Sequence, residues 1–301
     1  MMFNMDKRIL MILPIICGVM WGTGGVFVRA FNSFGFNSVS ILSIRVVGAV
    51  IILFILMLIF DRDALKIDLK DIWMFIGAGV FGTLMLNLCY NEAAFHISLS
   101  LSSLLLSLAP IFALVLSVIF FGEKITIKKL ICLAVALFGC LLVSGLLESS
   151  SGFTWSTYGV VCGFGSALFW ALYGVFSKFA SNKGYSTFTI VFYSFIMIVI
   201  CLAPFTQWGL FGSYLIADPL PNFTFATLHS VITSVLPYFL FSYALTRMDN
   251  GKATILCSGA EPCSATIWGA LFFAEFPSLL NLIGIVIAIC AVSVLSTLND
   301  A

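Results

Sequence analysis

Two glutamates lie inside long apolar stretches, and their surroundings suggest binding or proton-transfer chemistry. Glu92 follows Asn87 and Asn91 near the end of one stretch, and Glu261 stands directly before Pro262 in another. A carboxylate in an apolar environment is costly unless it binds a cation, exchanges a proton or has a fixed partner. Proline lacks a backbone donor and bends a helix, so carbonyl groups become free beside Glu261. Both glutamates are therefore candidates for cation binding or proton relay.

Each glutamate also has a structural interpretation. Glu92 can cap the end of its helix at the level of the lipid headgroups. Glu261 can be a buried residue whose partner is Arg45 or a Ser or Thr hydroxyl group. Arg45 lies about two turns into an apolar stretch, where a cation facing lipid would cost several kcal/mol. We therefore expect Arg45 to face a polar cavity or to pair with a carboxylate.

Aromatic residues with an N–H or O–H group are the other candidates for lining such a cavity. The chain has 31 Phe residues, most of which we expect in the core or against lipid. Tryptophan and tyrosine differ because their polar group needs a partner inside an apolar environment, and their ring faces attract cations. The candidates of this kind are Trp21, Tyr90, Trp170, Tyr173, Tyr238 and Tyr243.

Composition indicates that these residues lie in a membrane. Apolar residues make up 61% of the 301 residues and charged residues 9%, against about 45–50% and about 25% in soluble domains. The mean hydropathy is +1.16, and the net charge of +1 gives no indication of nucleic-acid binding. The nine cysteines form no C-x-x-C pair and no metal-ligand spacing with histidine. We therefore expect no disulfide framework, no metal and no cofactor.

The apolar segments predict an all-α membrane protein with ten transmembrane helices. Each segment has roughly the length of about 20 residues that a bilayer requires. The predicted segments are 9–31, 38–60, 72–93, 99–121, 130–147, 158–180, 186–208, 225–246, 253–274 and 278–297. The connections are mostly short, and the long ones are 61–71 and 209–224. The loop 209–224, with Pro219 and Pro221, is either an interfacial segment that covers the outer mouth or a passive connection.

Positive charges predict which way the chain faces. Short loops rich in Lys and Arg remain in the cytoplasm. Twelve of the fourteen Lys and Arg residues fall at the start of the chain or in alternate connections: Lys7, Arg8, Arg62, Lys66, Lys70, Lys124, Lys128, Lys129, Lys178, Lys183, Arg247 and Lys252. We therefore expect a multi-pass protein of the cell membrane with both termini in the cytoplasm.

The chain also carries an internal repeat. A segment that begins at Trp21 recurs at Trp170, 149 residues later, and a segment that begins at Pro110 recurs at Pro262, 152 residues later. Five spans in each half would place the two repeats upside down relative to each other, an arrangement common in solute transporters. We expect the two prolines to act as equivalent kinks or gating points. The predicted halves are 1–147 and 148–301.

Charged residues occupy equivalent positions in the two halves. Arg29 corresponds to Lys178, and Glu123 corresponds to Glu275. For the two cations, snorkelling of a long side chain to the interface is the simple interpretation. The two glutamates end their helices at opposite faces, where we expect them to cap a neighbouring helix or to meet a basic loop.

Small residues mark a close contact of the first span. Gly18 and Gly22 form a G-x-x-x-G pattern, and their counterparts in the second half are Ala167 and Ala171. Such spacing lets two helices approach closely. We expect an internal packing seam, with a dimer face as the alternative.

Taken together, these features resemble the EamA family of the drug/metabolite transporter superfamily. The resemblance rests on ten spans, the inverted repeat, a Trp-containing first helix in each half, and a proline followed thirteen residues later by glutamate. The segments from Tyr90 to Pro110 and from Tyr243 to Pro262 are similar to the family's fourth-helix region and its counterpart. The resemblance covers essentially the whole chain. It implies a central cavity between the halves that opens alternately to each side.

We predict a secondary transporter of a small organic solute, such as an amino acid or related metabolite, with export favoured. Protons are the candidate coupling ion, because the sequence has no ATPase domain. The expected partners are the solute and membrane lipids, and the protein is a monomer or a homodimer. The alternatives are a flippase for a lipid-linked intermediate and an uptake transporter for cations or amines. A membrane enzyme is disfavoured, because paired intramembrane aspartates, H-E-x-x-H and usable Ser–His spacing are missing from the sequence.

Overall fold

The computed structural model describes residues 7–121, 126–143, 156–245 and 250–299. Every regular element among these residues is helical, as predicted. Fifteen α-helices, numbered α1 to α15 in chain order, lie in this part of the chain: Lys7–Gly22, Gly24–Ser33, Ser38–Phe60, Ile72–Ile76, Met85–His96, Leu99–Leu106, Ala109–Phe121, Ile127–Val143, Thr157–Asn182, Thr187–Leu202, Trp208–Ala217, Pro219–Ser230, Leu236–Leu245, Asn250–Phe273 and Leu279–Asn299. The shorter elements are the 3-10 helices Arg62–Leu65, Leu69–Asp71 and Ala203–Phe205 and the π-helical segments Gly77–Leu84 and Val231–Val235.

Among the residues that the structure describes, six helical segments are long and apolar enough to cross a membrane, so the chain is a multi-pass membrane protein. They are Met11–Ser33, Ser38–Phe60, Leu69–His96, Thr157–Asn182, Thr187–Phe205 and Pro219–Phe241. Helix α3 has the predicted bounds 38–60. Its start is fixed by Asn37, whose side chain accepts a hydrogen bond from the Ser40 N–H at 2.9 Å. The other predicted spans lie on α6 with α7, α8, α14 and α15.

Apolar side chains divide between a buried core and outward faces. Phe31, Phe75 and Phe195 are fully buried, whereas Ile59 and Phe60 expose 67% and 80% of their surface. Continuous apolar surface of this kind is rare on soluble monomers. In a multi-pass protein these faces contact lipid, which removes the cost of leaving them exposed.

Two of the predicted spans are interrupted in the structure. Thr23 separates α1 from α2, and its hydroxyl donates to the Met20 carbonyl at 2.6 Å. The break between α6 and α7 falls just before Pro110, which lies in the first turn of α7, where its missing N–H costs nothing. Its counterpart Pro262 lies inside the continuous helix α14. The two equivalent prolines therefore have different backbone surroundings.

The π-helical segments occupy equivalent places in the repeat. Gly77–Leu84 joins α4 to α5, and Val231–Val235 joins α12 to α13. Moved back by the repeat offset of 152 residues, 231–235 falls on 79–83, inside the first segment. A π-helical turn interrupts the regular hydrogen-bond ladder and is frequent at functional sites. Here the two turns precede helices α5 and α13, which carry predicted site residues.

The prediction of a loop over 209–224 is wrong, because this connection is helical. Helix α11 covers Trp208–Ala217, and α12 begins at Pro219. The apolar side of α11 buries Tyr214. The Tyr214 carbonyl accepts a hydrogen bond from Asn222 Nδ2 at 2.6 Å, which joins α11 to α12. Pro219 does not prevent a helix here, because the first helical position needs no N–H.

The predicted packing seam of the first span is confirmed as an internal contact. Helix α1 lies against α14 with its glycines facing the partner backbone. A Cβ atom added to Gly18 would lie 2.4 Å from the Cys257 carbonyl oxygen, and one added to Gly22 would lie 2.8 Å from the Glu261 carbonyl oxygen. The Ser264 hydroxyl donates to the Val19 carbonyl at 2.9 Å across the same contact. The seam therefore holds the backbone of Glu261 directly against α1.

Candidate functional site

Aromatic side chains from both halves of the chain meet around Trp21. Its ring centroid lies 6.3 Å from that of Trp170, 5.6 Å from that of Tyr238 and 5.9 Å from that of Phe241. Trp170 stacks on Tyr173 with a centroid distance of 5.1 Å and an interplanar angle of 11°. Trp21, Trp170, Tyr173 and Tyr238 all keep part of their surface accessible. Helices α1, α9 and α13 therefore bring these aromatic side chains into contact.

Arg45 reaches this region from α3 and is held by one neighbour. Its Nη2 donates to Asn87 Oδ1 at 2.6 Å, and Asn87 Nδ2 in turn donates to the Thr83 carbonyl at 2.7 Å. The Arg45 Nε is buried and has no hydrogen-bond partner among the described residues. The guanidinium is thus oriented from one side and open on another.

Glu261 approaches the same region from α14. In the part of the chain that the structure describes, its carboxylate makes no hydrogen bond and no ion pair. The expected pair between Arg45 and Glu261 is therefore not formed in the described structure, where Arg45 binds Asn87; a hydroxyl partner for Glu261 stays a prediction. The Glu261 backbone packs against Gly22 of α1, the residue after Trp21.

Other buried polar groups near Arg45 also lack partners. The Tyr90 hydroxyl and both ring nitrogens of His229 make no hydrogen bond to any described residue. The His229 ring is stacked on Phe27 at a centroid distance of 5.0 Å. Most buried polar groups in native proteins have a partner, so this concentration of open groups is unusual. His229 is not among the predicted residues, because a single histidine in an apolar helix is ordinarily a packing residue.

Glu92 and Asn91 lie near the end of α5, against the start of α3. The Ser38 hydroxyl donates to Glu92 Oε1, and Asn91 Nδ2 donates to the Ser38 carbonyl at 3.3 Å. Glu92 Oε2 lies 3.8 Å from His96 Nε2, and 31% of the Glu92 side chain is exposed. A carboxylate beside the first residue of a helix is favoured by the helix dipole. Glu92 therefore has fixed partners, unlike Glu261.

Arg29 and Glu275 form a second polar assembly, which we call the Arg29–Glu275 node. Arg29 Nη1 lies 2.6 Å from Glu275 Oε1. Arg29 also donates from Nε to the Ala94 carbonyl at 2.6 Å and from Nη2 to the Ile97 carbonyl at 2.7 Å. The other carboxylate oxygen of Glu275 accepts the Leu99 N–H at 2.9 Å. The node thus joins α2, the end of α5, the start of α6 and the residues after α14.

The contacts of Arg29 and Glu275 in the node test two predictions made from sequence. The expectation that Glu275 caps a neighbouring helix is confirmed, because Leu99 is the first residue of α6. The snorkelling interpretation of Arg29 is wrong, because the side chain is only 17% exposed and points to Glu275 and backbone carbonyls. Its counterpart Lys178 is exposed near the end of α9. The counterpart of Glu275, Glu123, lies outside the described residues.

The predicted site residues therefore separate into distinct places. The backbones of Pro110 and Tyr243 belong to α7 and α13, and their side chains lie outside the described residues. Asn91 and Glu92 lie at the α3–α5 contact, and Asn87 orients Arg45. We group seven of the predicted residues under the name central site: Trp21, Arg45, Tyr90, Trp170, Tyr173, Tyr238 and Glu261. The described residues contain no cluster of His, Cys, Asp or Glu that could hold a metal ion.

Comparison with known proteins gives relatives along most of the chain. An uncharacterized transporter of Archaeoglobus fulgidus is 30% identical over 272 residues, which is 90% of each chain. The pseudopaline exporter CntI of Pseudomonas aeruginosa is 27% identical over 242 residues, covering 79% of this chain and 80% of CntI. A crystal structure with 15% sequence identity aligns with a TM-score of 0.60 over 98% of both chains. At this sequence identity, the similarity to the crystal structure shows a common fold alone.

A family match accounts for both halves of the sequence. The sequence model of the EamA-like transporter family matches residues 8–145 and matches again at residues 157–297. The two matches leave only the chain ends and a short middle segment uncovered, and they agree with the drug/metabolite transporter resemblance seen in the motifs. This chain belongs to the EamA-like transporter family.

Proposed function

We propose that the protein is a secondary transporter that moves a small organic solute across the cell membrane by alternating access. Its ten transmembrane helices form two inverted five-helix repeats, residues 1–147 and 148–301, with both termini in the cytoplasm. The solute is an amino acid or a related metabolite, and the direction is export. The relative in Pseudomonas aeruginosa that is named an exporter supports this direction.

The central site is the observation that carries the proposal. It draws Trp21, Arg45 and Tyr90 from the first half of the chain and Tyr238 and Glu261 from the second. Transporters built from inverted repeats hold their solute at the interface between the repeats, near the middle of the bilayer. A carboxylate without a partner at such a place is expensive for the empty protein. A bound solute that interacts with it gives a physical reason for its presence.

The interruptions in the backbone hydrogen bonding of the helices support the proposal that the helices bend during transport. The α1–α2 interruption and the two π-helical segments lie in or beside helices that carry residues of the central site, and the α6–α7 interruption lies beside the predicted gating point Pro110. Bending costs least where the backbone hydrogen-bond ladder is already interrupted. In our proposal the two halves rock about these points while Glu261 and Arg45 hold the solute. Glu261 is also the residue that would carry a proton in exchange.

Efflux from liposomes tests the proposal. Purified protein is reconstituted into vesicles loaded with radiolabelled amino acids, and release is compared with protein-free vesicles and with the Glu261→Gln variant. We expect release of at least one amino acid through the wild-type protein and its loss in the variant. Failure to move any solute of a broad amino-acid and metabolite panel, with the melting transition intact, would contradict the proposal.

A further inference from the structure

A weak link separates helix α2, which carries Arg29, from helix α1. At Thr23 the backbone N–H donates to the Met20 carbonyl at 3.2 Å. Its regular helical acceptor, the Val19 carbonyl, accepts the Ser264 hydroxyl instead, at 2.9 Å. A side chain that enters the hydrogen-bond ladder in this way is a usual cause of helix bending. The residues on both sides of Thr23 are glycines, which weaken a helix further. Helix α2 can therefore change its angle to α1 at a small cost.

Helix α12 packs against α2 and has an interruption at the same end. The Phe225 ring centroid lies 5.0 Å from that of Phe27 and 5.1 Å from that of Phe31. The His229 ring stacks on Phe27, and the π-helical segment Val231–Val235 follows directly after α12. We call these two helices the α2–α12 arm. Each helix of the arm has its interrupted backbone at the end where Phe27 meets His229.

The Arg29–Glu275 node fastens this arm to the rest of the protein. The Arg29 guanidinium donates to the Ala94 and Ile97 carbonyls at the end of α5. Its ion pair with Glu275 adds the residues after α14. A helix leaves the backbone groups at its ends without helical partners. The node can therefore exchange its contacts for water without breaking a hydrogen bond inside a helix.

The turn that presents Glu275 to Arg29 is strained. Ala274 has a φ of 55° and is the non-glycine residue with a positive φ among the described residues. The Glu275 N–H closes the turn by donating to the Gly269 carbonyl at 3.1 Å. Strain of this kind persists only where surrounding contacts hold it, and it is found at switch regions. Relaxation of the turn would favour release of Glu275 from the node.

We propose that the Arg29–Glu275 node is a latch and that the α2–α12 arm is the gate that it closes. When the latch opens, the arm swings away from α5, α6 and α14 about Thr23 and Val231–Val235. Helix α1 stays against α14, because the seam at Gly18 and Gly22 holds it there. The inference rests on the proposed function, in which each end of the solute path opens in turn. By the predicted orientation this gate lies at the outer face, and the described structure has it closed.

A buried residue beneath the arm can report whether the arm opens. Leu99 of α6 is 0% exposed, and its Cδ2 would lie 2.5 Å from a Cβ atom added to Gly25 of α2. In the Leu99→Cys variant, the arm therefore covers the new thiol while the latch is closed. The purified protein in detergent is treated with a maleimide. Peptide mass spectrometry then follows position 99 separately from the nine native cysteines.

Loss of the latch should expose this thiol. Adding Arg29→Gln or Glu275→Gln to Leu99→Cys should speed its labelling about tenfold, because the rate follows the population of the open arm. Arg29→Lys keeps the charge, should have a smaller effect, and serves as the second variant if Arg29→Gln does not fold. Cys132 is the internal control, because it is buried in a core cluster with Ala288 of α15 and reacts only if the whole protein loosens. An equal rise at Cys132, or no rise at position 99, would overturn the inference.

A disulfide tests whether transport needs the arm to open. A Cβ atom added to Gly25 would lie 3.3 Å from Leu99 Cγ, the place that a cysteine sulfur would take, and this separation suits a disulfide. In the double variant Gly25→Cys and Leu99→Cys, oxidation should abolish efflux from liposomes and a reductant should restore it. Leu99→Cys alone, oxidised in the same way, is the matched control and should keep its efflux. Efflux by the crosslinked protein at the rate of the reduced form would overturn the inference.

The gate and the transport activity can fail separately. If the wild type releases no solute of the panel, the proposed function is contradicted, and the labelling of Leu99→Cys decides on the latch alone. If efflux occurs and continues across the crosslink, the proposed function stands and the inference fails.

Discussion

The Arg29–Glu275 node and the central site contain the same residue types in opposite conditions. In the node, an arginine from the first half and a glutamate from the second lie 2.6 Å apart, and both have further backbone partners. In the central site, Arg45 and Glu261 also come from the two halves, but each is left with an open group in the described structure.

The comparison distinguishes charged residues that stabilise the fold from charged residues that can bind a solute. A paired and hydrogen-bonded charge can be buried because each group replaces the water that the other has lost. The node therefore stabilises the contact between helices and leaves no charged group open for a ligand. The central site keeps charged groups that can bind a ligand. These open groups lower the stability of the protein when no ligand is bound. Substitutions in the two places should consequently change stability in opposite directions.

The largest effect is expected from breaking the node. Arg29→Ala leaves the Glu275 carboxylate without its ion pair and removes the donors to the Ala94 and Ile97 carbonyls. We expect a loss of about 3 kcal/mol in stability, because removing one partner of a buried pair leaves an uncompensated charge. Thermal unfolding in detergent measures this loss, and Arg29→Lys, which keeps the charge, should lose less. An unchanged melting temperature in Arg29→Ala would contradict a structural role of the node.

A smaller loss is expected from separating α1 and α14. Gly18→Val would place a side chain where the Cys257 carbonyl oxygen lies only 2.4 Å from an added Cβ. Overpacking of this kind costs about 1–3 kcal/mol, and it also shifts Trp21 relative to Glu261. Both the melting temperature and solute binding should fall. Gly24→Ala, at a position with open space around the added atom, is the control that should change neither by much.

The central site should respond in the opposite direction. Glu261→Gln removes an unpaired carboxylate, so we expect stability to be unchanged or to rise by up to about 1 kcal/mol, since a neutral amide is less costly to bury. Solute binding and efflux should be lost in the same variant. Unfolding and binding assays on one preparation measure both effects. A strong loss of stability would indicate that Glu261 has a structural partner and would remove the contrast with Glu275.

The smallest effect is expected from the residue that orients Arg45. Asn87→Ala removes the acceptor of the Arg45 Nη2 hydrogen bond and leaves the guanidinium charge in place. A single hydrogen bond contributes about 0.5–1.5 kcal/mol, which corresponds to a two- to tenfold weaker affinity for the solute. Titration of the bound amino acid measures the change. Affinity equal to that of the wild type would mean that Arg45 does not need Asn87 for its orientation.

The sequence predicts those features that depend on local pattern. The limits of α3 follow from a long apolar run. The α1–α14 seam follows from Gly18 and Gly22, because small residues at that spacing pack closely whatever their partner. The capping role of Glu275 follows from its position at the end of a span. Each of these depends on residues that are close together in the chain.

The features that depend on distant residues are not predictable in this way. Arg29 looks like an interfacial cation until Glu275, 246 residues away, is placed beside it. Arg45 is expected to pair with a carboxylate, yet its described hydrogen-bond partner is Asn87, 42 residues away in sequence. The helix over Trp208–Ala217 depends on burial of Tyr214 against Phe31 and Phe36, which are far away in sequence. Local propensity carries no information about such partners.

The central claim is that Glu261 is kept free for the solute whereas Glu275 holds the fold together. The most direct test is to measure amino-acid efflux and thermal unfolding for Glu261→Gln and Glu275→Gln, reconstituted in equal amounts beside the wild type. We predict that Glu261→Gln melts no lower than the wild type and transports nothing, and that Glu275→Gln melts several degrees lower. Efflux at the wild-type rate by Glu261→Gln would contradict the account.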